Sequence, residues 1–187
     1  MILVDTGFWL ALANQKDRHH SAAKRALAQV EENLVTTWPV MTETCHLLAS
    51  RVSERAARAF IESATRGAFE IFELSTDHLP RIAELMLRYA KLPMDLADAS
   101  LVIAAEQLAS GRILSTAQRD FGAYRWKNRK PFHTIGSRTR RWLVSSLRGA
   151  PGHAGRIDGI RGYSSQDTGM KMPNAFRAHV VFGDLAG

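Results

Sequence analysis

Short apolar runs suited to strands alternate with helix-length runs through the first 135 residues, and few residues separate one run from the next. Parallel strands cannot be joined by a tight hairpin and need a crossover, usually a helix. Repeated strand–helix units with short connections therefore predict a mainly parallel sheet covered on both faces. Strands are expected at "ILV", "LVTT", "FEIFEL", "RILST" and "FHTI". A first helix is expected from Thr6 or Gly7, and a second over "SAAKRALAQVEE", where Ala22, Ala26, Leu27 and Val30 share a side. "WPVMTETCHLLASRV" should start a third, with Pro39 in its first turn, and "SERAARAFIESATRG" a fourth, opened by Ser53 and closed by Gly67. Two more are expected over "STDHLPRIAELMLRYA" and the Ala- and Leu-rich "MDLADASLVIAAEQLA", with "RDFGAYR" as a turn or short helix.

At 187 residues the chain has room for one well-filled core and an appendage, not two full domains. Its net charge of +7 and pI near 10.1 point to a polyanionic partner. That charge is unevenly placed. From Gly136 onward there are eight Lys or Arg against three Asp, and before it 17 basic residues against 15 acidic; nine of the 13 glycines also follow Ile135. Residues 1–135 thus read as a nearly neutral folded body, and 136–187 as a basic, Gly- and Arg-rich extension expected to be flexible. No apolar stretch approaches a membrane span, and "MILVDTGFWLALA" lacks the basic start of a signal peptide. The single cysteine, Cys45, excludes a disulfide framework within one chain and is expected to be a buried structural thiol. A cytoplasmic protein without a membrane partner is expected.

Acidic residues fall where such a sheet would gather them. In a parallel α/β sheet, the carboxyl ends of the strands share one edge, and ligands bind in the crevice there. Asp5 follows the first strand, Glu43 lies about one turn into the helix after "LVTT", and Asp120 follows "RILST" by a few residues. Asp95 and Asp98, three apart, share one helical face. Helix capping explains any one of them. As a set they are harder to dismiss, because Asp5, Glu43 and Asp98 sit in apolar segments without a Lys or Arg, where a carboxylate is costly unless paired or coordinated. A divalent cation is the simplest compensation, and hard oxygen ligands favour Mg²⁺ or Mn²⁺.

"VDT" after an N-terminal strand, "TE" in the second helix region, "MDLADASLVIAAE", and "RILST" leading to "RDF" resemble a PIN domain, and more specifically the bacterial VapC-type toxins. The resemblance spans roughly residues 1–135. It implies a three-layer α/β/α sandwich with a mainly parallel central sheet and a Mg²⁺- or Mn²⁺-dependent endoribonuclease. Members are usually homodimers neutralised by a cognate VapB-type antitoxin. Carried over, Asp5 and Asp98 are the metal ligands, and Glu43 completes the cluster through water or as an orienting base, with Asp95 close behind. One departure stands out: the family commonly places an acid directly after the strand, where this chain has Ala117 or Gln118. Asp120 falls where a second, less central acid usually lies, so either it reaches in as a replacement or the cluster is smaller.

On the enzyme reading, water attacks the phosphodiester and leaves a 5′-phosphate, with Glu43 and Asp120 orienting or deprotonating it. Thr6, Ser115 and Thr116 are candidates to hydrogen-bond the carboxylates. The run "RDFGAYRWKNRK" interleaves Arg119, Arg125, Lys127, Arg129 and Lys130 with Tyr124 and Trp126, a composition suited to RNA phosphates and stacked bases, or to a solvated turn. His19 and His20 read as surface or capping residues, with a ligand role as the alternative. The rival to a nuclease is a catalytically impaired PIN-fold protein that binds RNA or a partner without cutting.

Overall fold

The first strand, β1 (Ile2–Val4), lies at the centre of a five-stranded sheet, with β2 (Leu34–Thr37) on one side and β4 (Arg112–Leu114) on the other. β3 (Glu70–Phe72) extends the sheet beyond β2, and β7 (His133–Thr134) extends it beyond β4. Every pairing in this sheet is parallel. The computed structural model describes residues 1–92 and 94–135; the extension expected at 136–187 lies outside the described residues.

Helices make each crossover. α1 (Thr6–Ala13) and α2 (His20–Ala28) join β1 to β2. α3 (Trp38–Arg51) and α4 (Glu54–Thr65) join β2 to β3, and α5 (Leu79–Arg88) and α6 (Leu96–Leu108) join β3 to β4. Pro39 stands in the first turn of α3, and the Ser53 hydroxyl accepts from the Ala56 amide to cap α4, as expected from sequence. Gly67 closes that unit at φ 74°, a left-handed angle that glycine takes without strain. The helix expected over residues 75–90 is interrupted at its start. Ser75 and His78 form a reciprocal cap around a single 3₁₀ turn, Thr76–His78, and α5 begins only at Leu79.

Burial explains the centre of the sheet. Ile2, Leu3 and Val4 are shut off from water on both faces, as are Ile113 and Leu114 beside them. Trp9, Phe60 and Phe69 pack as an aromatic cluster between α1 and α4, with ring centroids 4.7–5.3 Å apart. α6 buries eight of its 13 residues, Ala97 and Ala99–Ala105, so it serves as a core helix and not a half-exposed one. Cys45 is only half-buried, against the expectation of a buried thiol, because it lies on the flank of α3 where packing on the core is partial. Burial nevertheless pushes its thiol pKa up, which disfavours the thiolate.

After β4 comes the short helix α7 (Gln118–Ala123), then an antiparallel hairpin of β5 (Arg125–Trp126) and β6 (Lys130–Pro131) that the sequence did not announce. Its strands are two residues long and show no alternation. No helix of the described residues is long and apolar enough to cross a membrane.

Candidate active site

Asp5 ends the central strand, and its position at the mouth of α1 invites the reading of a helix cap. The side chain makes no capping hydrogen bond. Its Oδ2 instead accepts from the Ser115 hydroxyl at 2.8 Å, across the β1–β4 seam. Ser115 also accepts from the Ala117 amide at 2.9 Å, so the same hydroxyl fixes the turn after β4 and the carboxylate opposite. Asp5 is 7% exposed. Burial raises its pKa to about 6, the Ser115 hydroxyl opposes that rise, and the charge of Glu43 adds to it.

Glu43 is held beside Asp5 by Thr6, whose hydroxyl donates to Oε2 at 2.6 Å. One residue after Asp5, the chain thus already reaches across from α1 to α3. Gly7 completes this corner through its lack of a side chain. A Cβ there would stand 2.3 Å from Thr116 Oγ1 and 3.4 Å from Asp5 Oδ2.

Asp95 and Asp98 divide the two roles open to acids at a helix start. Asp95 is the N-cap of α6, its Oδ1 accepting from the Asp98 amide at 2.8 Å, and its side chain is exposed. Asp98, half-buried, accepts from the Tyr124 hydroxyl at 2.9 Å. Burial raises the Asp98 pKa to about 7; the charges of Asp95, Asp5 and Asp120 push it further up, and the Tyr124 hydroxyl opposes them. Asp98 therefore feels Asp5 from the end of the central strand and Asp120 from the first turn of α7, so acids from three separate elements act on one another.

No Lys, Arg or His among the described residues forms an ion pair with any of these five acids. Nor, among those residues, is any group of three or more His, Cys, Asp or Glu side chains arranged to hold a metal ion. The compact feature is narrower: Asp5, raised by burial and by the charge of Glu43, and Asp98, raised by burial and by the charges of Asp95, Asp5 and Asp120. Two carboxylates suffice for a small hard cation that keeps most of its water, as Mg²⁺ does. The residues present fit such an ion.

A family model described as "PIN domain" matches residues 2–127. The chain belongs to the PIN domain family. Within that family it is similar to "Ribonuclease VapC26" of Mycobacterium tuberculosis, 26% identical over 124 residues that make up 66% of this chain and 92% of the relative. It is also similar to "23S rRNA-specific endonuclease VapC20" of the same species, 32% identical over 100 residues, 54% of this chain and 76% of the relative. The crystal structure of M. tuberculosis VapC20, described as a Sarcin-Ricin loop cleaving toxin, superposes with a TM-score of 0.60 at 25% identity, covering 63% of this chain and 91% of that one.

In this PIN domain Ala117, one of the two positions expected to correspond to the missing acid, is the residue before α7, and its amide bonds Ser115. Gln118 is exposed. Asp120 is half-buried. Of the hydroxyls expected near the acids, Thr6 and Ser115 bond them directly, while Thr116 packs over Gly7. The histidines take local roles: His20 Nδ1 donates to the Ala11 carbonyl, and His19 accepts from Arg18.

The expectation that Tyr124 and Trp126 stack on RNA bases is overturned. Tyr124 is fully buried, packed edge-on against Tyr89 and Phe121 with centroids 5.0 and 5.5 Å away. Trp126 is 6% exposed and donates its indole N–H to the Pro131 carbonyl. Tyr124 is instead the site residue that sequence reasoning missed. Its flanking cations marked it as surface, and the only contrary signal was the spacing that puts it one turn beyond Phe121 on the inner side of α7.

Proposed function

We propose that this PIN domain is a Mg²⁺- or Mn²⁺-dependent endoribonuclease, the toxin of a VapBC-type pair, acting in the cytoplasm as a homodimer restrained by a VapB-like antitoxin. Asp5 and Asp98 are its metal ligands in this reading. The observation that carries it is the buried Asp5 and the half-buried Asp98, whose pKa the charge of Asp5 helps to raise, with no ion-pair partner for either among the described residues, in a chain that belongs to the PIN family and resembles VapC ribonucleases. A bound divalent ion would stabilise charge developing on the scissile phosphate and acidify a water.

The chain's own residues supply the rest. Ser115 and Tyr124 hold the Asp5 and Asp98 carboxylates in fixed orientations. Thr6 does the same for Glu43, which orients the attacking water and accepts its proton. Asp95 supports the site by capping α6 and by its negative charge, and Asp120 adds a further acid from α7. Attack by water and not by the ribose hydroxyl leaves a 5′-phosphate product.

A second reading, RNA or partner binding without cleavage, is favoured by one feature: Ala117 provides no carboxylate at the turn after β4. Cleavage of a labelled RNA mixture with Mn²⁺, with EDTA, and by Asp98→Asn separates the two. Metal-dependent cutting lost in Asp98→Asn supports the nuclease; no cutting by folded protein free of antitoxin supports the second reading.

A further inference from the structure

The β5–β6 hairpin starts one residue after the tyrosine that bonds Asp98, and it is held unusually firmly for so short an element. The Lys127 amide donates to Glu106 Oε1 at 2.8 Å. Asn128 Oδ1 accepts from Arg81 and from Arg88, at 2.7 and 2.9 Å. Arg81 and Arg88 in turn pair with Glu84, and Arg81 with Glu106, so both acids beside the hairpin are already matched. Lys127 sits at φ 45°, a left-handed angle that a side-chain-bearing residue takes only when its surroundings impose it.

What this clamp presents is charge. Lys127, Arg129 and Lys130 are exposed, and none has an ion-pair partner among the described residues. The Lys127 and Lys130 ammoniums stand 5.9 and 4.8 Å from the Trp126 ring centroid, which limits their freedom without neutralising them. The hairpin's aromatic content is turned inward: Trp126 and Phe132 are 6% and 7% exposed. A protein partner would need an apolar anchor here, and the hairpin exposes none. A base would need an aromatic face, and none is open. A phosphate backbone needs only fixed cations.

We propose that the β5–β6 hairpin is a docking site for the RNA phosphate backbone, contacted by Lys127, Arg129 and Lys130 and blind to base sequence. It lies alongside α6, running from Tyr124 at the Asp98 end to Lys127 at Glu106, roughly 12 Å along the helix axis at 1.5 Å per residue. RNA seated here extends away from the scissile position. The inference rests on the ribonuclease reading for the identity of its polyanion.

The test is fluorescence anisotropy of a labelled mixed-sequence RNA in EDTA, which prevents cutting, with NaCl from 50 to 300 mM. The full chain is compared with Lys127→Gln/Arg129→Gln/Lys130→Gln and with the charge-keeping Lys127→Arg/Arg129→Lys/Lys130→Arg. The neutral variant should bind tenfold or more weakly at low salt, its log–log salt slope shallower by about 2, since each lost single-strand phosphate contact removes about 0.7. The charge-keeping variant should retain both affinity and slope. Equal binding by the folded neutral variant overturns the proposal, as does loss in the charge-keeping variant or absence of RNA binding by the unaltered chain. A poly-Glu peptide that binds through these residues where RNA does not would overturn it in favour of an acidic protein segment. Cleavage with Mn²⁺ is scored separately: hairpin-dependent binding without cutting defeats the ribonuclease reading alone, and normal cutting with an unchanged KM in the neutral variant defeats this inference alone.

Discussion

Tyr124 donates its phenol hydrogen to Oδ2 of Asp98 at 2.9 Å from a position with no solvent exposure. The bond joins the end of α7 to the first turn of α6 and fixes the orientation of the Asp98 carboxylate. Tyr124→Phe removes the hydroxyl and keeps the packing on Tyr89 and Phe121. It should cost about 1 kcal/mol of stability. Because the hydroxyl holds the Asp98 pKa down, its loss should move the acidic limb of the pH–rate profile to higher pH. A profile unchanged in position would remove Tyr124 from any role in positioning.

The raised acids set a pH dependence of stability in metal-free protein. Asp5 and Asp98 titrate near 6 and 7 when folded and near the ordinary carboxylate value when unfolded, so between about pH 4 and 7 the folded state binds more protons. Stability contributed by these groups therefore falls as pH rises through that window. Asp5→Asn or Asp98→Asn should each raise the metal-free Tm at pH 7.5, at roughly 2–4 °C per kcal/mol gained. Thermal melts in EDTA at pH 5 and 7.5 measure this, and an Asn variant less stable than the parent at pH 7.5 would contradict it.

Mn²⁺ should reverse that penalty. At 100 times its dissociation constant an ion that binds only the folded state adds about 2.7 kcal/mol. The gain in Tm should be large at pH 7.5, shrink below pH 6 as protons compete for Asp5 and Asp98, and vanish in Asp98→Asn. Differential scanning fluorimetry across a Mn²⁺ titration reads all three.

Ser115→Ala removes the donor to Asp5 and the acceptor for the Ala117 amide together. Losing one donor to a buried carboxylate costs about 1–3 kcal/mol. Chemical denaturation should show a loss of that size at pH 7.5 and a smaller one at pH 4.5, where Asp5 is protonated.

Gly111 marks where the hairpin meets the sheet. A Cβ there would lie 2.2 Å from Trp126 Nε1 and 3.0 Å from the Pro131 carbonyl, so neither neighbour can yield by a simple rotation. Gly111→Ala should destabilise the fold by about 1–3 kcal/mol and shift Trp126. Tryptophan emission would report a ring that has moved towards water.

The alternation of strands and helices was legible because the inner strands β1 and β2 are buried along their whole length, which their own few residues record as "ILV" and "LVTT". Asp5, Glu43 and Asp98 were legible for a related reason: each interrupts an apolar segment. Tyr124 and the hairpin were not, since their burial is decided by contacts from far along the chain. The Tyr89 hydroxyl oxygen accepts from the Arg125 amide, and Glu106 fixes Lys127, while the local composition is that of a solvated turn. The two-residue strands β5 and β6 are too short to carry a period. The 3₁₀ turn at Thr76–His78 was hidden because a capping box reads the same whether a helix or a single turn follows.

The central place of β1 bears on when the protein becomes able to act. β1 is made first, yet its neighbour β4 and the Ser115 hydroxyl that holds Asp5 arrive 110 residues later, and Tyr124 later still. A chain emerging from the ribosome N-terminus first cannot close this sheet, or set either carboxylate, until nearly all of the described domain has been synthesised. A product that stopped before β4 would carry Asp5 on an open strand edge with nothing to orient it. Synthesis itself thus delays the crevice, and a restraining partner that is already present has the whole of that interval to be waiting.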